Sequence, residues 1–464
     1  MGGRGGSYEI DMTHGPLLGK IVKFAIPLAL SGILQLLFNA ADIVVVGRFA
    51  GSGALAAVGA TGALINLIVT LFMGLSVGTN VLVAQYYGAG NRKDLSETVH
   101  TSILASTVFG VALIAVGILL AQPVLKAMAT PPDVLDQAVL YMRIYFIGMP
   151  GMMLYNFGAA VLRAVGDTQR PLYFLLLAGV VNVLLNLFFV IVLHMGVAGV
   201  AAATSISQAI SAGLVLLCLM RTDSIYRVEL KRLRIKKDKL LQMAKIGLPA
   251  GIQGASFSIS NVLIQSTINS FGPLAMAGNT AASNMEGFVS TGMDAFSQAA
   301  MSFTGQNVGA KKVNRVNRIL ALCLGLGVSV GLVLGIGAYF GGPGLLGIYS
   351  GDPEVIAFGL RRMAIVCTCQ CIGALMGNMV GVLRGLGASF VPMVITITFV
   401  CGFRVVWLYT AFAAVPTLEM LYVSYPITWG LAALVDFGCY FVVKHRVEKK
   451  LAASSNRGSP ISEG

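Results

Sequence analysis

The side chains of this sequence most able to do chemistry are acids inside long apolar stretches. Of 19 acidic residues, four lie well within such stretches: Asp42, Glu286, Asp294 and Asp436. A charged side chain at the centre of a bilayer costs about 2.5–3.5 kcal/mol even on the lenient insertion scale, and such residues commonly mark ion or substrate pathways. Each is therefore a candidate site for a cation or a proton. The alternative is a carboxyl group near a helix end or one satisfied by polar neighbours.

Asp42 is the strongest of the four candidates, because polar partners can be named for it. Asn182 and Asn186 are four residues apart in one apolar stretch, so on a helix they share a face. Thr204 and Gln208 have the same spacing in the next stretch. A site built from these residues needs elements that bring three separate segments together.

The composition indicates what those elements are. Hydrophobic residues make up 56% of the 464 residues and charged residues 11%, whereas soluble domains carry about 25% charge. So few charges cannot cover the surface of a water-soluble globule. This excludes a soluble enzyme, a disordered chain and a nucleic-acid-binding domain. Together with a mean hydropathy of +0.82, it predicts an all-α polytopic membrane protein.

The apolar stretches predict twelve transmembrane helices, since a span needs roughly 20 apolar residues. We place them at residues 20–46, 55–86, 97–121, 136–162, 171–193, 197–220, 243–269, 274–303, 316–340, 356–382, 389–412 and 418–443.

The basic residues predict the orientation of the chain. Most Lys and Arg lie in short segments on one side of the predicted spans, from Arg4 to Arg457, with a cluster between Arg221 and Lys245. Because cytoplasmic loops carry the excess of Lys and Arg, we expect a multi-pass protein of the plasma or inner membrane with both termini in the cytoplasm. The first 20 residues show no signal peptide. A lipid or nucleic-acid site in the cluster is an alternative, but no nucleic-acid partner is expected.

The sequence repeats itself at a nearly constant offset. Lys23-x-x-x-Pro27 recurs as Lys245-x-x-x-Pro249, Gln85-x-x-Gly88-Ala89 as Gln306-x-x-Gly309-Ala310, and Val161-Leu162-Arg163-x-x-Gly166 as Val382-Leu383-Arg384-x-x-Gly387. We therefore expect an N-terminal lobe at 1–225, a basic cytoplasmic linker at 226–242 and a C-terminal lobe at 243–464 with a short polar tail. Six helices per lobe insert both halves the same way round, as two parallel six-helix repeats. This plan suits alternating access around a central cavity, although a channel is still open at this point.

Each half has a proline inside its first helix. Pro27 cannot donate a hydrogen bond to the carbonyl of Lys23, nor Pro249 to that of Lys245, so both helices should bend there. The bend is either a tolerated feature of membrane helices or a joint that differs between two transport states.

In their order, these features resemble the multidrug and toxic compound extrusion (MATE) transporters. The resemblance rests on the early Pro27, the run from Asn39-Ala40-Ala41-Asp42 to Gly47-Arg48, and the repeated Gln-x-x-Gly-Ala and Arg-x-x-Gly motifs, and it covers essentially the whole chain. It implies a bacterial-type efflux antiporter in which a Na⁺ or H⁺ gradient drives organic, often cationic, compounds out of the cell. It implies no cofactor besides the coupling ion, and no enzymatic activity.

The resemblance also assigns a site for the coupling cation. Family members bind it with an aspartate of helix 1, two polar residues four apart on helix 5 and a threonine of helix 6; these correspond to Asp42, Asn182, Asn186 and Thr204. Some relatives have a second aspartate where Asn186 stands, so one formal negative charge is present here. One carboxylate with neutral oxygens suits a monovalent ion, and desolvation lets a proton replace it. Binding of the ion, the proton or a cationic drug is expected to bias the bend at Pro27.

The C-terminal lobe departs from one branch of the family, which places acids in helices 7 and 10. Glu286 and Asp294 are eight residues apart in the eighth predicted helix and so share a face. We expect them to line a cavity of the second lobe and to attract cations, with Asp436 in the twelfth helix as a further candidate.

Other functions are also open at this stage. A flippase for lipid-linked saccharides belongs to the same wider superfamily, but such relatives often have extra helices and a cationic cavity. A major-facilitator-type carrier shares the six-plus-six plan, but its usual Asp-Arg-rich loop after helix 2 is missing. Nothing resembles an intramembrane enzyme, and without a P-loop ATP drive is not expected. The Cys367-x-Cys369-x-Cys371 run directs its middle thiol away from the others, so no metal site is predicted.

Overall fold

The computed structural model describes residues 8–128 and 130–456, which form helices joined by short connections and by one longer segment at residues 222–236. Arg4 and Arg457, which the orientation prediction used, lie outside these residues. The helices of the first half are α1 (Leu18–Val45), α2 (Ser52–Gly88), α3 (Arg92–Ala127), α4 (Pro132–Ile147), α5 (Met149–Ala164), α6 (Gln169–Leu187) and α7 (Gly196–Arg221). Those of the second half are α8 (Lys237–Asn269), α9 (Pro273–Gly309), α10 (Asn314–Phe340), α11 (Gly342–Gly347), α12 (Pro353–Ile365), α13 (Gln370–Gly385), α14 (Phe390–Ile395), α15 (Phe403–Tyr409), α16 (Ala411–Ala414) and α17 (Leu418–Asn456).

The helices agree with the predicted spans. Within the described residues, eight helical stretches are long and apolar enough to cross a membrane, and ten when each of two bent pairs counts as one span. The bent pairs are α4 with α5, at 45°, and α12 with α13, at 51°. The other two predicted spans are α8 and α9, whose 33 and 37 residues are longer than a bilayer core of about 30 Å requires. The chain is thus an all-α polytopic membrane protein built from two six-helix repeats.

The chain divides into two compact units. The first contains residues 8–11, Ile26–Val83 and Asn91–Gly251, and the second contains Met12–Ala25, Ala84–Gly90 and 252–456. They differ from the continuous lobes of the sequence prediction, because the first unit includes the start of α8 and the second includes the start of α1 and the end of α2. In the first unit, Gly74 and Gly78 of α2 lie against the backbone of Gly251 and Met243, where a Cβ atom has no room.

The two copies of the Gln-x-x-Gly-Ala motif pack against each other in the second unit. A Cβ atom on Gly88 would overlap the backbone carbonyl of Gln306, and one on Gly309 would overlap that of Gln85. Glycine is therefore required where the ends of α2 and α9 make this close contact. The motif repeats because each copy forms one side of a helix crossing.

The Arg-x-x-Gly motifs end α5 and α13. Gly166 and Gly387 have φ angles of 97° and 87°, and their N–H groups donate to the carbonyls of Arg163 and Arg384 at 3.0 and 2.8 Å. Glycine adopts this left-handed conformation without strain and is the usual residue just past a helix end. Helix termination explains why this motif recurs.

Candidate cation site and second-unit cavity

Asp42, Asn182, Asn186 and Thr204 come together in the first unit. The Asn186 Nδ2 donates to Asp42 Oδ1 and also lies 3.2 Å from Asn182 Oδ1. The Asn182 Nδ2 donates to Thr204 Oγ1 at 3.4 Å, and Thr204 in turn donates to the Val200 carbonyl at 3.0 Å. The four side chains form one hydrogen-bonded chain across α1, α6 and α7.

Helix geometry explains how these side chains meet. Asn182 and Asn186 are one turn apart on α6, so both amides face the same neighbours, and both side chains are buried whereas Asp42 is half-buried. Segments of π-helix, Val46–Ala50 and Phe188–Val192, begin a few residues after Asp42 and Asn186. Such segments are frequent at functional sites.

The oxygen atoms of this cluster are suited to bind a cation. Asn186 Oδ1 is buried and has no hydrogen-bond partner among the residues that the structure describes. A buried amide oxygen beside a carboxylate is the kind of ligand that a hard cation takes. Together with Asp42, Asn182 and Thr204 it offers one negative charge and several neutral oxygens. A carboxyl group can also be neutralised by a proton in place of a cation.

Two tyrosines near Asp42 were missed by the sequence analysis. Tyr141 and Tyr145 of α4 are close enough to Asp42 to interact with it electrostatically, and their ring centroids are 6.0 Å apart. Tyr141 belongs to the apolar cluster that also contains Val46, just past the end of α1, and Tyr145 packs against that cluster. Two tyrosines four residues apart on an apolar helix were the available signal, because each hydroxyl needs a polar neighbour when buried.

Both predicted bending prolines lie inside continuous helices. Pro27 is within α1 and Pro249 within α8. The carbonyl of Pro27 accepts a hydrogen bond from Ser31 Oγ at 2.8 Å. A bend that changes between transport states is still a prediction.

Two of the predicted second-lobe acids line one cavity in the second unit. The cavity has a volume of about 420 Å³ and is formed by α8, α9, α12, α13 and α17, and both Glu286 and Asp294 contribute to its wall. Glu286 makes a two-pronged ion pair with Arg362, with Nε–Oε1 and Nη2–Oε2 distances of 2.7 Å. Arg362 Nη1 also donates to Asn279 Oδ1 at 2.8 Å. The charge of Glu286 is therefore balanced within the protein, whereas Asp294 is exposed to the cavity.

Asp436 lies apart from this cavity wall. Its side chain is fully buried on α17, and neither carboxylate oxygen has a hydrogen-bond partner among the described residues. Arg384 is the charged group that interacts with it electrostatically. The three acids grouped together from the sequence thus have three different environments.

The arginines of the second unit were not assigned to a site from the sequence. Arg404 lies inside the span predicted at 389–412, and a cation within an apolar helix is itself a functional signal. Arg362 had no such signal, because it lies near the predicted start of a span. Its pairing with Glu286 depends on the packing of α12 against α9.

Comparison with known proteins identifies the family. A family model described as MatE matches the chain twice, at residues 27–188 and 249–410, so the two matches begin at Pro27 and Pro249. The probable multidrug resistance protein YoeA of Bacillus subtilis is 28% identical over 439 residues, covering 91% of this chain and 93% of its own length. The probable multidrug resistance protein NorM of Thermotoga maritima is 25% identical over 385 residues, covering 81% and 82%.

A solved structure supports the fold assignment. The outward-facing conformation of a multidrug resistance MATE family transporter of the MOP superfamily aligns with a TM-score of 0.87 at 21% identity, covering 94% of this chain and 98% of that one. At that identity the likeness concerns the fold. The double match of the family model carries the assignment, and this chain belongs to the MatE family of multidrug and toxic compound extrusion transporters.

Proposed function

We propose that this protein exports organic compounds, cations among them, in exchange for Na⁺ or H⁺ that binds at Asp42. The observation that carries this proposal is the hydrogen-bonded chain from Asp42 through Asn186 and Asn182 to Thr204. It joins α1, α6 and α7 through a single carboxylate. A ligand bound there contacts three helices at once, so it can favour one arrangement of them over another.

Competition for one carboxylate supplies the coupling. Na⁺ needs the ionised form of Asp42 and the amide and hydroxyl oxygens, whereas a proton neutralises the carboxyl group directly. Asn186 Nδ2 donates to Asp42, whereas a cation bound at Asp42 would require the amide oxygen of Asn186 instead. Binding therefore changes the contact between α1 and α6. Differential affinity for two states is the condition for a gradient to drive transport, and Pro27 is the position where α1 can bend in response.

Other observations support the proposed substrate class and the proposed location. Relatives are named as multidrug resistance proteins. Asp294, which makes no ion pair within the described residues, offers a carboxylate to the second-unit cavity, and this suits organic cations. Lys and Arg residues cluster in segments on one side of the spans. By the positive-inside rule, we infer a plasma or inner membrane location with both termini in the cytoplasm.

Transport by purified protein in liposomes tests the proposal. The uptake of a fluorescent organic cation would be followed under an imposed Na⁺ gradient and then under a pH gradient. We expect transport under at least one gradient and its loss in Asp42→Asn, because the amide cannot carry the charge or the proton. Asp136→Asn is the matched control, since Asp136 is exposed on α4, and it should transport normally.

Three outcomes separate the possibilities. Loss in Asp42→Asn alone supports coupling at this site, and the effective gradient names the ion. Full gradient-driven transport by Asp42→Asn refutes it and directs attention to Asp294. Absence of transport by the wild type under both gradients refutes cation antiport.

A further inference from the structure

Arg404 is a buried cation that makes no ion pair with any acidic side chain in the described part of the chain. Its side chain has 0% exposure. Nη1 donates to Asn261 Oδ1 at 3.2 Å, but Nε and Nη2 have no hydrogen-bond partner among the described residues. A charged group in the interior of a membrane protein normally pairs with an opposite charge. This guanidinium is held instead by aromatic rings, 4.2 Å from the ring centroid of Tyr425 and 5.5 Å from that of Phe257.

Positive charge is in excess around Tyr425. The guanidinium of Arg362 lies 5.1 Å from the same ring centroid, so two arginines share one aromatic ring. Glu286 balances one of them through its two-pronged ion pair. The group formed by Arg362, Glu286 and Arg404 therefore carries one net positive charge next to the cavity.

Two residues that line the cavity, Asn261 and Trp429, carry N–H donors beside this group. A guanidinium can only donate, so Asn261 must present its Oδ1 to Arg404. This leaves the Asn261 Nδ2 as the polar atom available to the cavity that Asn261 lines. Trp429 lines the same cavity, and its indole Nε1 is buried with no partner in the described part of the chain. Two N–H donors with a positive charge behind them are the elements of an oxyanion site.

We propose that the corner of the cavity at Asn261 and Trp429, with the buried charge of Arg404 behind Asn261, binds a carboxylate or phosphate group carried by an aromatic compound. The aromatic ring would pack against Tyr425 and Trp429, which meet edge to face with centroids 5.7 Å apart. The volume of about 420 Å³ accommodates a ring with its substituents. This inference rests on the proposed export of organic compounds and adds an anionic group to the substrates.

A negatively charged side chain, Asp294, lies elsewhere on the wall of the same cavity. Asp294 lines the cavity two helical turns from Glu286, or about 12 Å along α9. A substrate with an anionic and a cationic group can therefore satisfy both ends. A purely cationic compound leaves Arg404 without its partner.

Tryptophan fluorescence can measure binding at this corner directly. The chain has two tryptophans, so Trp407→Phe leaves Trp429 as the only one. The full-length Trp407→Phe protein, purified in detergent without an ion gradient, would be titrated with three nitroaromatic quenchers: para-nitrobenzoate, para-nitrophenyl phosphate and methyl para-nitrobenzoate. We expect at least one anion to bind about tenfold more tightly than the uncharged ester, as one charge-assisted hydrogen bond implies. The tighter anion identifies the group that the corner accepts.

Two variants in this background test the assignment to Arg404. Asn261→Asp gives Arg404 the carboxylate that it lacks, so we expect the preference for the anion to disappear while the ester still binds. Arg404→Gln should have the same effect; if it fails to fold, Asn261→Asp decides alone. Arg361→Gln removes an exposed arginine that pairs with Glu419 and should keep the preference.

The proposal is overturned if neither anion binds more tightly than the ester, or if Asn261→Asp retains the preference. Because the measurement needs no gradient, its result is independent of coupling at Asp42. Anion binding without coupled transport would support the oxyanion site and refute the proposed antiport. Coupled transport without a preference for the anion would support the antiport and refute the oxyanion site.

Discussion

Replacement of Glu286 by alanine should destabilise the protein by about 3–5 kcal/mol, the cost typical of breaking a buried ion pair. Glu286 and Arg362 have exposures of 8% and 5%, so the pair is largely withdrawn from water although both side chains reach the cavity wall. Two guanidinium N–H groups that donate to Glu286 at 2.7 Å would be left without an acceptor. Only the Nη1 bond to Asn279 would remain.

Removal of both charges of this ion pair should cost much less stability than removal of one. Glu286→Leu combined with Arg362→Met removes both charges together, so no uncompensated charge is buried. Replacement of a whole buried pair by apolar residues is often neutral or stabilising. We therefore expect the double variant to regain most of the stability that Glu286→Ala loses.

A neighbouring ion pair provides the control. Arg361 and Glu419 are 3.6 Å apart, with side-chain exposures of 56% and 47%. Exposed pairs contribute about 0–1 kcal/mol, so Arg361→Ala should have little effect. The assay is denaturant unfolding in mixed micelles, followed by circular dichroism. A loss below about 1 kcal/mol in Glu286→Ala, close to that of the exposed pair, or no recovery in the double variant, would refute the argument from burial.

Two further predictions follow from the first unit and the repeated motif. Asn186→Asp places a second carboxylate beside Asp42, and two neighbouring carboxylates share a proton more tightly than one carboxylate holds it. The initial rate of pH-driven transport should therefore reach half its maximum at a more alkaline pH than in the wild type. An unchanged pH profile would contradict this prediction. Gly309→Ala should cost about 1–3 kcal/mol of stability because its Cβ meets backbone. Gly325→Ala, with nothing within 4 Å of its Cβ, should be neutral or stabilise by about 0.5–1 kcal/mol. Equal thermal midpoints for these two glycine variants would exclude the close crossing.

The sequence by itself determined the features that depend on local pattern. Apolar runs predicted the transmembrane spans. In the bilayer, each helix must satisfy its backbone hydrogen bonds internally and needs about 20 apolar residues to cross the hydrocarbon core. The constant offset of motifs gave the two repeats, which the double family match confirms. Asn182 and Asn186 could be placed on one face because residues four apart share a helix face whatever the rest of the fold does, and their side chains hydrogen-bond to each other.

Tertiary structure alone decided which distant side chains meet. Glu286 was expected to attract cations, but packing of α12 against α9 pairs it with Arg362, and no periodicity in either helix encodes that contact. Asn261 faces Arg404 across 143 positions of sequence, and Asp436 is buried away from the acids grouped with it. Helix rotation and crossing geometry set these partners, and both depend on side-chain packing summed over many residues. Local sequence therefore fixes which charges lie in the membrane, and the packed helices fix which of them are neutralised.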